Sequence, residues 1–159
     1  MSTLTKLGVE ARPITLEQPG YPTTLIKVVI ETPHPLGRVH LSADQTLYMH
    51  SRLTQLAAMF LHGNTTGAKH TVPANLTYRD EEPSVRLGSY GAEAWPVIGD
   101  DVWGLPELEA ILIESIHPDG HGVLRLSPEQ TLHIRDQLER IGFVYFHENI
   151  WGGEDARRQ

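Results

Sequence analysis

Residues 123–141 read VLRLSPEQTLHIRDQLERI, and residues 39–56 read VHLSADQTLYMHSRLTQL. When Ser127 is aligned with Ser42, the two stretches share six identical residues, where unrelated segments of ordinary composition share roughly one. The identical pairs are Leu41 with Leu126, Ser42 with Ser127, Gln45 with Gln130, Thr46 with Thr131, Leu47 with Leu132 and Leu53 with Leu138. The repeat predicts two copies of one unit; convergence on common helix-start signals is the alternative.

The match extends upstream of both stretches. Ile30-Glu31-x-x-His34-Pro35 corresponds to Ile113-Glu114-x-x-His117-Pro118 after a shift of two residues. A longer loop in the second copy absorbs that shift, because insertions are tolerated in loops.

Local patterns predict the elements of each unit. Ser42 with Gln45 and Ser127 with Gln130 have the spacing of a capping box, and apolar residues follow each at helical intervals. Residues 24–31 and 108–115 are rich in β-branched or apolar residues, and each is predicted to form a hairpin with the short strand that follows, 38–41 or 123–126. Residues 2–16 predict an edge strand interrupted at Pro13, residues 90–106 a long loop, and residues 143–146 a final strand.

Together these elements predict an α+β protein. We expect a mostly antiparallel sheet with two helices on one face and an internal duplication of a strand-hairpin-helix-strand unit. The first half-unit spans 1–80 and the second 84–151; the two pack as a single domain, and 152–159 form a loose polar tail.

Composition narrows the classes of function. The chain has 159 residues, no cysteine and a formal net charge of −7. Disulfides and thiolate metal sites are therefore excluded, and the negative charge argues against a nucleic-acid partner. With no secretion signal after Met1 and no apolar run long enough to span a bilayer, we expect a cytoplasmic protein without a membrane partner.

The repeated Glu-x-x-His-Pro segments are candidates for a metal site. Glu31, His34, Glu114 and His117 supply carboxylate and imidazole, and His40 and His121 lie nearby in the sequence. If the two segments meet at the junction of the halves, they could bind a divalent metal ion or a small nucleotide. The alternative is that each segment is a Pro-containing turn, since residues three apart on a strand face opposite sides.

The stretch between Tyr90 and Pro106 is the candidate partner-binding segment. It carries Trp95, Asp100, Asp101 and Trp103. Tryptophan brings a large contact area at low entropic cost, so these residues either anchor a partner or fold back to cap the core.

Two functions remain open at this stage. The leading hypothesis is a small intracellular non-enzymatic binding protein, such as an accessory, inhibitor or phage-type protein, that needs no cofactor and uses a protein-protein surface. It depends on the absence of P-loop, Gly-x-Ser-x-Gly and His-Glu-x-x-His motifs. The alternative is a His-dependent metal- or small-nucleotide-binding protein, which could be a hydrolase. Both leave homo-oligomerisation open.

Overall fold

The structure is a computed structural model that describes residues 7–33, 37–61, 78–100, 102–104 and 106–146. Within them the chain forms two three-stranded antiparallel sheets, each followed by a long helix. The first sheet has the order β1-β2-β3, from Glu10–Leu16, Thr24–Glu31 and Arg38–Leu41, and α1 spans Ala43–Phe60. The second has the order β4-β5-β6, from Ala92–Asp100, Pro106–His117 and Gly120–Leu126. A short helix, α2 at Pro83–Arg86, precedes β4, and α3 spans Pro128–Ile141.

The α+β class predicted from the sequence is confirmed, with two sheets in place of one. One apolar core joins the halves: it contains Val28, Ile30 and Leu53 from the first and Ile113 and Leu138 from the second. Among the described residues, no helix has both the length and the apolar character needed to cross a membrane.

Strand pairing follows the same register in both halves. Ala11 pairs with Ile30 as Ala94 pairs with Ile113. The register also shifts at matching places, between Ile14 and Thr15 and between Val97 and Ile98. These matches agree with the repeat seen in the sequence, while a duplication event stays a prediction.

Both predicted capping boxes form. The Ser42 hydroxyl accepts from the Gln45 backbone N–H, and the Gln45 side chain accepts from the Ser42 backbone N–H. Ser127 and Gln130 make the same two hydrogen bonds at the start of α3. Each pair satisfies two backbone donors that have no partner within the helix.

Each long helix is tied to the sheet of the other half. The Gln45 amide on α1 donates to the backbone carbonyls of Tyr90, Gly91 and Ile116, at 3.0, 3.2 and 2.8 Å. On α3, the Gln130 amide donates to the Leu7 carbonyl at 2.7 Å.

One side chain nearer the C-terminus of each helix also contacts the outer strand of the other half. Gln137 on α3 accepts from the backbone N–H of Ala11 at 2.7 Å. Arg52 on α1 binds Glu93, whose carboxylate also accepts from the backbone N–H of Ala94. Gln137 on α3 thus satisfies a backbone donor on the outer strand β1, while the donor on β4 is satisfied by Glu93 of the same strand, which Arg52 on α1 holds in place. Unsatisfied donors on an outer strand would be open to another chain.

Three local predictions are wrong. β1 continues through Pro13, which pairs with Val28, rather than being interrupted there. Residues 92–100 form β4 rather than part of a long loop, because Pro96 lies on an edge strand, where a missing N–H costs no ladder hydrogen bond. Residues 142–146 continue α3 as a π-helical turn rather than forming a strand, and Gly142 has helical φ −60° and ψ −44°. The aromatic and β-branched residues 143–146 favour a strand locally, but Phe146 reaches the core from the helical segment. The sequence also indicates possible short strands at 70–72 and 76–78. Of these residues only Tyr78 is described, and it is not in a strand; residues 70–77 and the predicted tail at 152–159 lie outside the described residues.

The segment before β4 covers one face of the second sheet. Trp95 pairs with Leu112 and Glu93 with Glu114, which puts Trp95 and Glu114 on the face opposite the core residues Ile111 and Ile113. Tyr78 contacts Trp95 edge-to-face with 5.1 Å between ring centroids, and Arg86 binds Glu114. Trp95 and Glu114 are therefore buried although they point away from the main core.

The two sheets approach each other closely at Gly122 on β6. A Cβ atom added there would lie 2.1 Å from the backbone oxygen of Arg38 on β3. We expect Gly122→Ala to lower the free energy of unfolding by about 1 to 3 kcal/mol, because the strand backbones must separate. Chemical denaturation measures the loss, and Gly104→Ala is a useful comparison because its added Cβ would meet nothing within 4 Å, although its φ of +77° adds backbone strain. A smaller loss at Gly122 than at Gly104 would contradict the close approach.

Candidate functional site

The structure separates the two tryptophans of the predicted partner-binding segment. Trp95 is 2 % exposed on β4, whereas Trp103 is 83 % exposed. Of the two roles considered from the sequence, packing inside the protein fits Trp95, and a surface role fits Trp103. Asp100 is exposed at the end of β4, and Asp101 lies outside the described residues.

Trp103 lies at the hairpin tip, which we define as residues 102–104 between β4 and β5. Val102 beside it is 91 % exposed, and Gly104 has a φ of +77°, a left-handed conformation that glycine adopts without steric cost. Asp100, Glu107 and Glu109 are exposed on the two strands of this hairpin. The tip therefore presents two apolar side chains on a hairpin whose sides are acidic.

The repeated glutamates form ion pairs. The Glu31 carboxylate forms ion pairs with Arg12 and Arg38, with nitrogen–oxygen distances of 3.3 and 3.1 Å. Glu114 is 1 % exposed. Its carboxylate accepts two hydrogen bonds from Arg86, at 3.1 and 2.6 Å, and is also hydrogen-bonded to the imidazole of His121. Burial alone would raise the pKa of Glu114, but the hydrogen bonds from Arg86 and His121 outweigh burial and hold that pKa below its usual value.

This pairing bears on the metal hypothesis. A cation at Glu31 or Glu114 would have to displace the arginines, and His34 lies outside the described residues. In the parts of the chain that the structure describes, no group of three or more histidine, aspartate or glutamate side chains is arranged to hold a metal ion. The predicted metal site stays a prediction.

A third polar group lies where α1 meets β4. The Glu93 carboxylate accepts from the Tyr48 hydroxyl at 2.6 Å and from Arg52 at 2.6 Å. Burial and the Glu93 carboxylate raise the pKa of Tyr48, so its hydroxyl stays protonated and donates. Tyr48 also stacks on Tyr90 with 4.3 Å between ring centroids. The group connects the two halves, and the Tyr48 hydroxyl and the Arg52 guanidinium are both hydrogen-bonded to the Glu93 carboxylate.

A fourth group joins the halves at the surface. We call Lys27, His40, His117 and Asp119 the junction cluster; the first two lie on β2 and β3, His117 ends β5, and Asp119 lies in the turn before β6. Lys27 Nζ lies 2.5 Å from Asp119 Oδ2 and 3.2 Å from His40 Nδ1. The rings of His40 and His117 have centroids 5.8 Å apart, and the Asp119 backbone N–H donates to His117 Nδ1 at 3.0 Å.

The charges of the cluster are coupled. Burial and the neighbouring Lys27 ammonium lower the pKa of His40, which keeps this ring neutral at pH 7. The hydrogen bond from Lys27 lowers the pKa of Asp119. At neutral pH a lysine-aspartate ion pair therefore lies beside a neutral imidazole.

The sequence analysis considered two members of this cluster, but for a metal site: it singled out His117 and noted His40 nearby. It did not connect them with Lys27 or Asp119. Lys27 and Asp119 are 92 residues apart in the chain, and only the docking of the halves brings them together. The shared Gly-x-Glu-Ala-x-Pro at Gly8–Pro13 and Gly91–Pro96 could have indicated the alignment of β1 with β4, and hence this docking.

Comparison with known proteins gives no family: no family model, no curated protein and no solved structure matches this chain significantly. The geometry of the described residues is therefore the basis for assigning a function.

Proposed function

We propose that this protein is a binding module that engages a protein partner through the hairpin tip. The observation that carries the proposal is the exposure of Trp103, 83 %, beside Val102, 91 %. Tryptophan is one of the residue types enriched among the few side chains that dominate binding energy at protein interfaces. β4 and β5 pair from Ala92 to Asp100 with one register shift, between Val97 and Ile98. The tip is therefore held by two paired strands, which lowers the entropic cost of binding.

The surroundings of the tip indicate the kind of partner. Asp100 and Glu107 are exposed on either side of it, and the chain carries a net charge of −7. A partner of complementary chemistry has an apolar pocket for the indole with lysine or arginine side chains around its rim. Such charges speed association and weaken with salt, whereas the indole determines how slowly the complex dissociates.

We expect Trp103→Ala to weaken partner binding by at least about 2 kcal/mol, a factor of roughly 30. The stability of the fold should change by no more than about 0.5 kcal/mol, because the side chain is exposed. Partners captured from the native host by the wild-type protein are identified, and their affinities for both proteins are then measured by calorimetry.

Tyr21→Ala provides the matched control, because Tyr21 is also a strongly exposed aromatic residue but lies between β1 and β2. This variant should bind as tightly as the wild type. Equal affinities of wild type and Trp103→Ala for every captured partner would defeat the proposal.

The charge of the rim is tested separately. Reversing Asp100 and Glu107 to lysine should slow association and reduce its dependence on salt, with little effect on dissociation. An unchanged association rate would remove the basic partner from the proposal and leave only the apolar anchor.

A further inference from the structure

The face of the first sheet that points away from the core carries exposed apolar side chains. Ala11 on β1 belongs to the core. Alternation along the strand therefore puts Arg12, Ile14 and Leu16 on the opposite, outer face. Leu16 is 46 % exposed.

The register shift in this sheet adds another apolar residue to the outer face. The pairing of β1 passes from Lys27 directly to Leu25, which leaves Ile26 as the extra residue of β2. Because Leu25 and Val28 belong to the core, the two residues between them both point away from it. Ile26 is 51 % exposed. We call Ile14, Leu16 and Ile26 the apolar strip.

The corresponding face of the second sheet is covered by an aromatic side chain of the same chain. By strand register, Arg12 stands where Trp95 stands in the second sheet. Trp95 is in edge-to-face contact with Tyr78 and is 2 % exposed. The Arg12 side chain is 48 % exposed, and Leu16 and Ile26 of the apolar strip are exposed as well. The same kind of sheet face thus accepts an aromatic side chain in one half and leaves that position at the surface in the other.

The charges beside the apolar strip are complementary to those beside the hairpin tip. Arg12 precedes the strip on β1, and Lys27 pairs with Ile14 inside it. The hairpin tip is flanked by the exposed carboxylates of Asp100 and Glu107. The strip therefore offers what the tip requires of a partner, an apolar surface with basic side chains at its border.

We propose that the partner of the hairpin tip is a second copy of this chain, with Trp103 of one copy packed on the apolar strip of the next. This inference rests on the proposed function, because it names the partner of the same tip. Asp100 and Glu107 of one copy then lie beside Arg12 and Lys27 of the other. The contact joins two different surfaces, so copies add to one another head to tail, in a ring or an open chain.

The contact is expected to be weak. Arg12 and Lys27 already form ion pairs within their own chain, and Glu17 just beyond β1 is acidic, so the attraction is partial. The area under one hairpin tip is small beside the roughly 1,000 Å² of a stable interface. We expect a dissociation constant on the order of 0.1 mM and an affinity that falls as salt is added.

The first test is sedimentation velocity of the purified protein from about 0.01 to 1 mM, a range that brackets the expected dissociation constant. The average sedimentation coefficient of the wild type should rise with concentration. Trp103→Ala and Ile26→Glu should each weaken this association about 30-fold. Val123→Glu is the matched control, because Val123 is an exposed β-branched residue on a strand of the other sheet, and this variant should associate like the wild type.

The second test mixes the two defective variants. Trp103→Ala keeps an intact apolar strip, and Ile26→Glu keeps an intact hairpin tip. An equimolar mixture should form a 1:1 complex with the affinity of the wild type, although neither variant associates alone. No complex in the mixture overturns the inference; a tip-to-tip contact would give that result. If circular dichroism shows that Ile26→Glu does not fold, Leu16→Glu replaces it.

The inference and the proposed function fail in different ways. A wild-type protein that stays monomeric over the whole concentration range overturns the inference, while the proposed function is still decided by the affinity of captured partners for Trp103→Ala. Self-association that persists unchanged in Trp103→Ala or in Ile26→Glu also overturns the inference, because the contact then lies elsewhere on the protein.

Discussion

Replacing Arg86 with methionine is expected to lower the free energy of unfolding by about 3 to 5 kcal/mol at neutral pH. Arg86 makes two hydrogen bonds to the carboxylate of Glu114, a side chain with 1 % exposure. Without the guanidinium, the buried carboxylate keeps His121 as its one side-chain partner among the described residues. The cost arises from an uncompensated buried charge and is measured by urea denaturation.

The pH dependence of this loss identifies its cause. In the wild type the pKa of Glu114 is lowered, so the pair contributes stability above the ordinary glutamate pKa of 4.5 and loses it as the pH falls through the lower folded value. In Arg86→Met, burial dominates and raises that pKa, so protonation relieves the penalty at mildly acid pH. The difference in stability between variant and wild type should therefore shrink from pH 7 to pH 4.

A double variant provides the control. Arg86→Met combined with Glu114→Gln removes both charges, and it should be more stable at pH 7 than Arg86→Met alone. A pH-independent loss in the single variant, with no recovery in the double variant, would indicate lost packing of the arginine stem rather than an unpaired charge.

The second large effect is expected at Trp95. Trp95→Ala should cost about 3 to 5 kcal/mol of folding stability, because it leaves a cavity between β4 and the segment that carries Tyr78. Thermal and chemical unfolding measure the loss. Trp103→Ala removes the same side chain from the same hairpin and should change stability by no more than about 0.5 kcal/mol. Similar losses in the two variants would contradict the difference in burial.

The sequence predicted the elements whose signals are local. The capping boxes at Ser42 and Ser127 and the strands around Ile30 and Ile113 appear where the pattern puts them. A helix start is set by residues three apart, and a strand by its β-branched content, so both can be identified without tertiary structure.

Features that depend on packing were missed. The glycine, proline and tryptophan of 90–106 are typical of a loop, but pairing with β5 and the docking of α1 make β4 a strand despite its composition. Trp95 and Trp103 have the same chemistry in the sequence. Trp95 is buried because strand register puts it on the covered face of β4, and Trp103 is exposed because it lies in the turn beyond that strand. The junction cluster depends on the relative position of the halves, which no local pattern encodes.

Each long helix makes hydrogen bonds to the other half of the chain, and this affects how the protein folds during synthesis. While the ribosome has released only the first half, the Gln45 amide lacks the carbonyls of Tyr90, Gly91 and Ile116, and β1 lacks the Gln137 acceptor for Ala11. A nascent chain ending before β4 therefore has an open strand edge and a helix without its docking site. We expect it to remain protease-sensitive until α3 has emerged, so that the protein matures in one late step rather than half by half.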